Sequence, residues 1–267
     1  MIPASSEMNS WRMAFVRYRQ ALVALILRDI KTRFFGSAWG YLLAVAWPLT
    51  HIAALMTIHT LAGRLPPYGD SGALWFATGI VPFMAFAYMS RMIMFGPVLN
   101  RPLLIFPTVK IMDILLARAI VETLSAGIVV IILAIYFTAA GVDFMPYDVP
   151  QAFFALGTAM LLGLGFGVIN SVIAQAVPMW VTGYSLSIII YWIASGVFFI
   201  PDNLPELARY ILSFNPILQA VTWMRSAYYE GYGSLTLDKS YAVGVGVATL
   251  FFGLMLERFA RGRLLQG

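Results

Sequence analysis

The sequence predicts an all-α, polytopic membrane protein with six transmembrane helices. Of its 267 residues, 61% are hydrophobic and 11% charged, where a soluble domain carries about 25% charged residues. The mean hydropathy of +0.83 is more apolar surface than a soluble fold of this length can hide. Residues 37–61, 73–95, 111–138, 151–176, 180–200 and 241–256 are apolar runs, to be compared with the ~20 residues that cross a ~30 Å hydrocarbon core. The whole chain, 1–267, reads as a single transmembrane domain.

The opening MIPASSEMNS has no basic stretch followed by an apolar core, so a retained N-terminus is expected. In residues 11–35, apolar Phe15, Leu22, Leu25 and Ile26 recur at helical spacing and arginines cluster at both ends. That pattern is a basic amphipathic helix lying along the cytoplasmic interface. Spans four and five are divided at Ala176-Val177-Pro178-Met179. Merged, they would far exceed one crossing even when tilted.

Charge orients the spans. Arg12, Arg17, Arg19, Arg28, Lys31 and Arg33 precede the first. Arg101 and Lys110 lie between spans two and three, and Arg258, Arg261 and Arg263 in the tail. With six alternating spans all of these fall on one side, which the positive-inside rule makes cytoplasmic together with both termini. Residues 201–232 then lie on the outer side. They are amphipathic, too charged to span, and broken at Asn215-Pro216, where the residue before proline disfavours helix. Two short helices that dip into the membrane and return are expected, with their backbone buried in protein.

Much chemistry is excluded. The chain has no cysteine and two histidines, His51 and His59, so no disulfide framework and no metal site are expected. There is no Gly-x-x-x-x-Gly-Lys-Ser/Thr loop to bind ATP. Gly163-Leu-Gly-Phe-Gly167 lies inside an apolar span, where small residues serve close helix packing. The net charge of +5 reflects the cytoplasmic bias rather than nucleic-acid binding.

The remaining candidates sit inside spans. Arg118 and Glu122 are four residues apart and fit a structural ion pair on one helix face, although ionisable residues at membrane depth also mark function. Trp47, Thr50, His51, Ala54 and Thr57 form a mildly polar stripe, which suits a polar pathway or a hydrogen-bonded helix seam. Tyr88, Tyr184, Tyr191 and Trp192 fall near mid-span. Their faces suit stacking on sugar rings, and equally ordinary packing.

Three stretches together resemble a known family. They are LRDIKTRFFGSAWGYLLAVAWPL at 27–49; Asn100, Leu103-Leu104, Phe106-Pro107, Asp113, Ala117-Arg118 and Glu122; and Asn215-Pro216 followed by Arg225. In that order they resemble the transmembrane permease subunit of type-2 ABC exporters, and among these the bacterial capsular polysaccharide exporters. The resemblance implies six spans, cytoplasmic termini and re-entrant helices between spans five and six. It implies a pair of identical permease chains joined to two ATPase subunits, so this chain would be no enzyme. ATP and Mg would be bound by the partner ATPase, with no cofactor in this chain. The cargo would be a lipid-linked polysaccharide crossing the bacterial inner membrane, passed on to periplasmic and outer-membrane export components.

Carried onto this sequence, the resemblance gives an ATPase-coupling face at Arg28, Asp29, Lys31 and Arg33 and across segment 100–110, with Arg101, Leu103, Leu104, Phe106 and Lys110. Pro102 and Pro107 would frame an apolar knob there. The substrate pathway is expected along Trp47, His51, Tyr88, Arg91, Tyr184, Tyr191 and Trp192, and an outer gate at Asn215, Pro216 and Arg225. Arg28, Lys31, Arg33 and Arg91 would meet the phosphate of a phosphate-linked lipid. The alternative cargoes are an O-antigen, a teichoic acid or a small amphiphile. Other classes are a secondary transporter, for which no repeat is evident, and a membrane-embedded enzyme, for which no cluster of His, Asp or Glu is evident.

Overall fold

The structure, a computed structural model, describes residues 4–32, 38–61, 66–105 and 109–264. Among them are nine α-helices and no strand: α1 (Ala4–Thr32), α2 (Ala38–Leu61), α3 (Gly72–Leu99), α4 (Ile111–Ala139), α5 (Val149–Ala176), α6 (Trp180–Ile193), α7 (Glu206–Ser213), α8 (Pro216–Tyr228) and α9 (Lys239–Leu264). Short 3-10 turns cover Arg101–Ile105 and Pro201–Asn203. Four helices among the described residues are long and apolar enough to cross a membrane: Gly72–Leu99, Ile111–Ala139, Val149–Ala176 and the Lys239–Ala260 part of α9.

Local chemistry sets the helix starts. Ser71 caps α3 by accepting from the Leu74 amide, and Asp148 caps α5 by accepting from Gln151. Such caps satisfy amides that have no partner inside the helix. Asp113 does the reverse at α4, where its carboxylate accepts from the Lys110 amide at 2.9 Å. Asp238 accepts from the Tyr241 amide, and α9 accordingly begins at Lys239 and continues to Leu264, beyond the 241–256 expected. The interfacial helix is also longer than expected, starting at Ala4.

α3 is the centre of the bundle. It packs along α5, α5 packs along α9, and α4 and α8 lean on α3. Trp75, Ile80, Phe83, Phe86, Ile93 and Met94 of α3 are fully buried. The close approach depends on glycine. A Cβ on Gly163 would stand 2.7 Å from both Met89 Cβ and the Phe86 carbonyl oxygen, and one on Gly167 would be 2.6 Å from Ile93 Cβ. Gly165 faces α9, where a Cβ would lie 2.7 Å from the Leu250 nitrogen. The glycine run is therefore a packing seam, as its place in an apolar span implies.

The apolar run expected as span five forms a shorter helix, which is not among the four long enough to cross a membrane. The break at 177–179 is present, but α6 stops at Ile193 instead of running to residue 200. Its 14 residues reach only ~21 Å at 1.5 Å per residue. Gly196 takes φ +77°, a left-handed conformation that glycine enters without penalty. Three of the carbonyls released beyond Ile193 are claimed by side chains. Asn215 Nδ2 donates to Ala194 O at 2.9 Å, and Arg225 donates to Gly196 O at 2.6 Å and to Val197 O at 2.8 Å. Buried backbone outside a helix persists only with partners of this kind. Segment 201–232 does fold as two short helices, α7 and α8, separated at Phe214–Asn215.

Candidate translocation groove and its anchored ends

At one end of the bundle, α1 is tied to the turn that follows α3, where coupling is expected. Arg28 Nη1 donates to Asn100 Oδ1 at 2.7 Å, while Asn100 Nδ2 donates back to the Gly96 carbonyl. One residue on, Asp29 Oδ1 lies 3.0 Å from Arg118 Nη2 of α4. Both side chains are buried, at 9% and 7% exposure. Arg118 Nη1 also reaches Met92 Sδ of α3 at 3.8 Å. Glu122, one turn along, is buried on the same helix. A buried pair of this kind is strongly destabilising to break, so α1, α3 and α4 are linked where the coupling segment leaves α3.

The expected coupling residues therefore divide. Lys31, Arg101 and Lys110 are exposed. Asp29 points inwards and holds α1, so it is a positioning residue. Leu103 and Leu104 are half-buried, and Leu104 packs against the buried cluster formed by Met89, Ile93, Ile111, Leu115 and Val168. Among the described residues the exposed apolar tip of the knob between Pro102 and Pro107 is Ile105, at 81% exposure. Arg33 and Phe106 lie outside the described residues.

Between α2, α3 and α6 is a groove of about 250 Å³. It gathers five of the seven expected pathway residues: Trp47, His51, Tyr88, Arg91 and Trp192, over a floor that includes Phe83. Trp47 meets His51 edge-on at 5.1 Å, His51 meets Trp192 at 6.1 Å, and Trp192 meets Phe83 at 4.5 Å. His51 Nδ1 lies 3.0 Å from the Trp47 carbonyl. A carbonyl only accepts, so Nδ1 carries the proton and Nε2 is left as an acceptor. Arg91 is exposed, and among the described residues no carboxylate pairs with it. It stands eight residues before the end of α3, ~12 Å along the axis. The groove thus offers aromatic faces, one imidazole acceptor and one cation free for an anion.

The other two pathway residues sit apart. Tyr184 is buried against Met94 and Ala174. Tyr191 points to the bundle interior, edge-on to Phe86 and Phe166. Ordinary packing accounts for both.

At the opposite end Arg225 is fully buried. Its guanidinium carbon lies 3.6 Å from the Trp75 ring centroid, and Nη1 donates to Tyr232 Oη at 3.3 Å. Burial pushes its pKa below the ordinary value, and the adjoining Tyr232 phenol pushes it back up. Burial also lifts the Tyr229 phenol beside it to about 12. A Cβ on Gly79 would stand 2.7 Å from Arg225 Nη2, so α3 makes room for the guanidinium. Asn215 accepts from the Ile217 amide to cap α8, and Pro216 takes the first helical position, where a missing N–H is harmless. Asn215 and Arg225 thus converge on the unwound end of α6, while Pro216 only starts α8. Trp75, Tyr229 and Tyr232 complete the hub, and the sequence offers no spacing signal that joins them to Arg225.

No protein-family model matches the chain. Curated proteins do. The polysialic acid transport protein KpsM of Escherichia coli is 28% identical over 92% of this chain and 96% of its own length. The capsule polysaccharide export inner-membrane protein CtrC of Neisseria meningitidis serogroup B is 28% identical over 91% and 92%. The O-antigen export system permease protein RfbA of Klebsiella pneumoniae is 24% identical over 88% and 87%. Over nine-tenths of its length, the chain is similar to a polysialic acid transport protein and to a capsule polysaccharide export inner-membrane protein.

Proposed function

We propose that this chain is the membrane-spanning subunit of an ATP-powered exporter that moves lipid-linked capsular polysaccharide across the bacterial inner membrane. The observation that carries this reading is its end-to-end likeness to capsule export proteins. The groove is consistent with it. Trp47 and Trp192 present ring faces to sugars, His51 Nε2 accepts from a hydroxyl, and Arg91 meets an acidic sugar or a lipid phosphate. α2 and α6 would complete six spans with α3, α4, α5 and α9, leaving both termini cytoplasmic. α7 and α8 would be the re-entrant pair.

ATP and Mg would be bound by two separate ATPase subunits seated on a pair of identical permease chains. Ile105, Arg101 and Lys31 would face the ATPase. The Arg28–Asn100 and Asp29–Arg118 links would carry its movement into α1 and α4 as one body. Arg225 and Asn215, by holding the unwound end of α6, would set the outer gate, beyond which periplasmic and outer-membrane components receive the polymer. The likeness to an O-antigen permease supports a second cargo reading with the same mechanism.

The test is surface polysaccharide in a strain that lacks the gene and is complemented with variants. Arg91→Ala and Trp192→Ala should abolish or sharply reduce surface polymer at wild-type membrane levels, with polymer accumulating inside. Normal surface polymer in both variants would remove the groove from the pathway.

A further inference from the structure

A second groove, of about 210 Å³, opens on the side of the bundle at the end remote from the basic coupling segment. Its walls come from equivalent turns of three helices: Leu74–Val81 in α3, Val130–Phe137 in α4 and Val149–Leu156 in α5. Each stretch rises ~10 Å, so the groove runs about a third of the ~30 Å hydrocarbon thickness. Met145 of the α4–α5 loop lies at its outer end, and Met224 of α8, which packs with Ala155, lines it deeper in. No charged side chain lines it. Thr78 lies within it, but its hydroxyl is already committed to the Trp75 carbonyl.

These dimensions select the occupant. Below the rim, water finds no free polar partner, so the groove suits an apolar occupant. A helix of ~10 Å diameter is too wide to enter. One hydrocarbon chain fits, and the depth stays within a single leaflet. The rim carries the Tyr228 phenol at the C-terminal end of α8, level with the start of α5, because the Asp148 amide donates to the Ala227 carbonyl at 3.0 Å. In the proposed spanning orientation this is the outer interface, where tyrosine side chains sit at headgroup level. Phe153 (73% exposed) and Val130 (39%) frame the open side, through which a chain enters laterally.

We propose that this groove binds one acyl chain of a bilayer phospholipid from the outer leaflet, with its ester oxygens on the Tyr228 hydroxyl. The seated chain packs against Met224 and so braces α8, which carries Arg225. The proposal rests on the membrane-spanning orientation given under Proposed function. It needs neither cargo nor ATPase.

The experiment uses full-length protein in nanodiscs of phosphatidylethanolamine and phosphatidylglycerol. These contain a trace of phosphatidylethanolamine bearing a diazirine midway along one acyl chain. After photolysis, adducts are mapped by peptide mass spectrometry. Wild-type adducts should concentrate in 130–137 and 144–156, well above the exposed apolar faces of α6 (186–193) and α9 (247–259). Ala134→Phe and Ala152→Phe fill the groove from two walls. Each should reduce groove labelling to the level of those faces and leave labelling of the faces unchanged. Even labelling of all apolar faces in the wild type shows annular lipid only and overturns the proposal, as does groove labelling that persists in both variants. Neither outcome bears on export, which is read separately by surface polysaccharide.

Discussion

Replacing Arg225 by methionine removes the side chain that holds the unwound end of α6. Two buried carbonyls, Gly196 O and Val197 O, lose donors at 2.6 and 2.8 Å, and the Trp75 ring loses a cation at 3.6 Å. Hydrogen bonds to charged groups contribute ~1.5–3 kcal/mol each, and a desolvated cation–π contact about 2. Against this, methionine relieves the several kcal/mol of desolvation that a buried guanidinium costs. The net loss is about 3 kcal/mol. At ~2–4 °C per kcal/mol for a chain of this size, the apparent melting temperature should fall by roughly 6–12 °C. The assay is intrinsic fluorescence of the detergent-purified protein, with limited proteolysis to show whether 194–203 has become accessible. Arg225→Lys keeps the charge but lacks the planar fork that reaches both carbonyls, so it should fall between the two. A methionine variant that melts with the wild type would refute this account of the hub. So would a lysine variant indistinguishable from arginine, since charge alone would then suffice.

Two further predictions probe the other anchors. Asp29→Ala leaves Arg118 without its α1 partner, at a cost of ~3–5 kcal/mol for a broken buried pair. Hydrogen exchange should quicken across 20–32 while α5 and α9 stay protected. Gly167→Val pushes a side chain into Ile93 and should lower stability by ~1–3 kcal/mol of overpacking. Gly157→Val, where nothing lies within 4 Å, should melt like the wild type.

Hydrophobic run length and turn residues made most of the helix order legible. The starts expected at residues 73 and 151 fall within two residues of Gly72 and Val149, and the break expected at Asn215-Pro216 is present. The end of α6 was hidden because apolar sequence continues to Ile200, while the partners that stabilise its early stop lie on α8, 21 to 29 residues away. Trp47, His51, Tyr88, Arg91 and Trp192 could be chosen individually from the sequence. That they share one groove depends on how α2, α3 and α6 are juxtaposed. Tyr184 and Tyr191 looked equivalent to them, since helical spacing does not say which face a neighbour covers. Leu104 and Ile105 are adjacent and chemically alike, yet only the 3-10 turn decides which packs inward. Asp29 was read as part of a charged docking face. Its buried pairing with Arg118 is a tertiary contact that periodicity cannot reveal.

The central claim is that this chain passes polymer through the membrane on power supplied by a partner ATPase gripping the coupling turn. The most direct measurement is affinity purification of the tagged, full-length chain from membranes of its own host, with quantification of any co-purifying P-loop ATPase. Equimolar ATPase on the wild-type chain, and its loss on Ile105→Asp at unchanged membrane level and melting temperature, is the predicted result. A chain that purifies without any such ATPase, or an ATPase retained undiminished by Ile105→Asp, would contradict it.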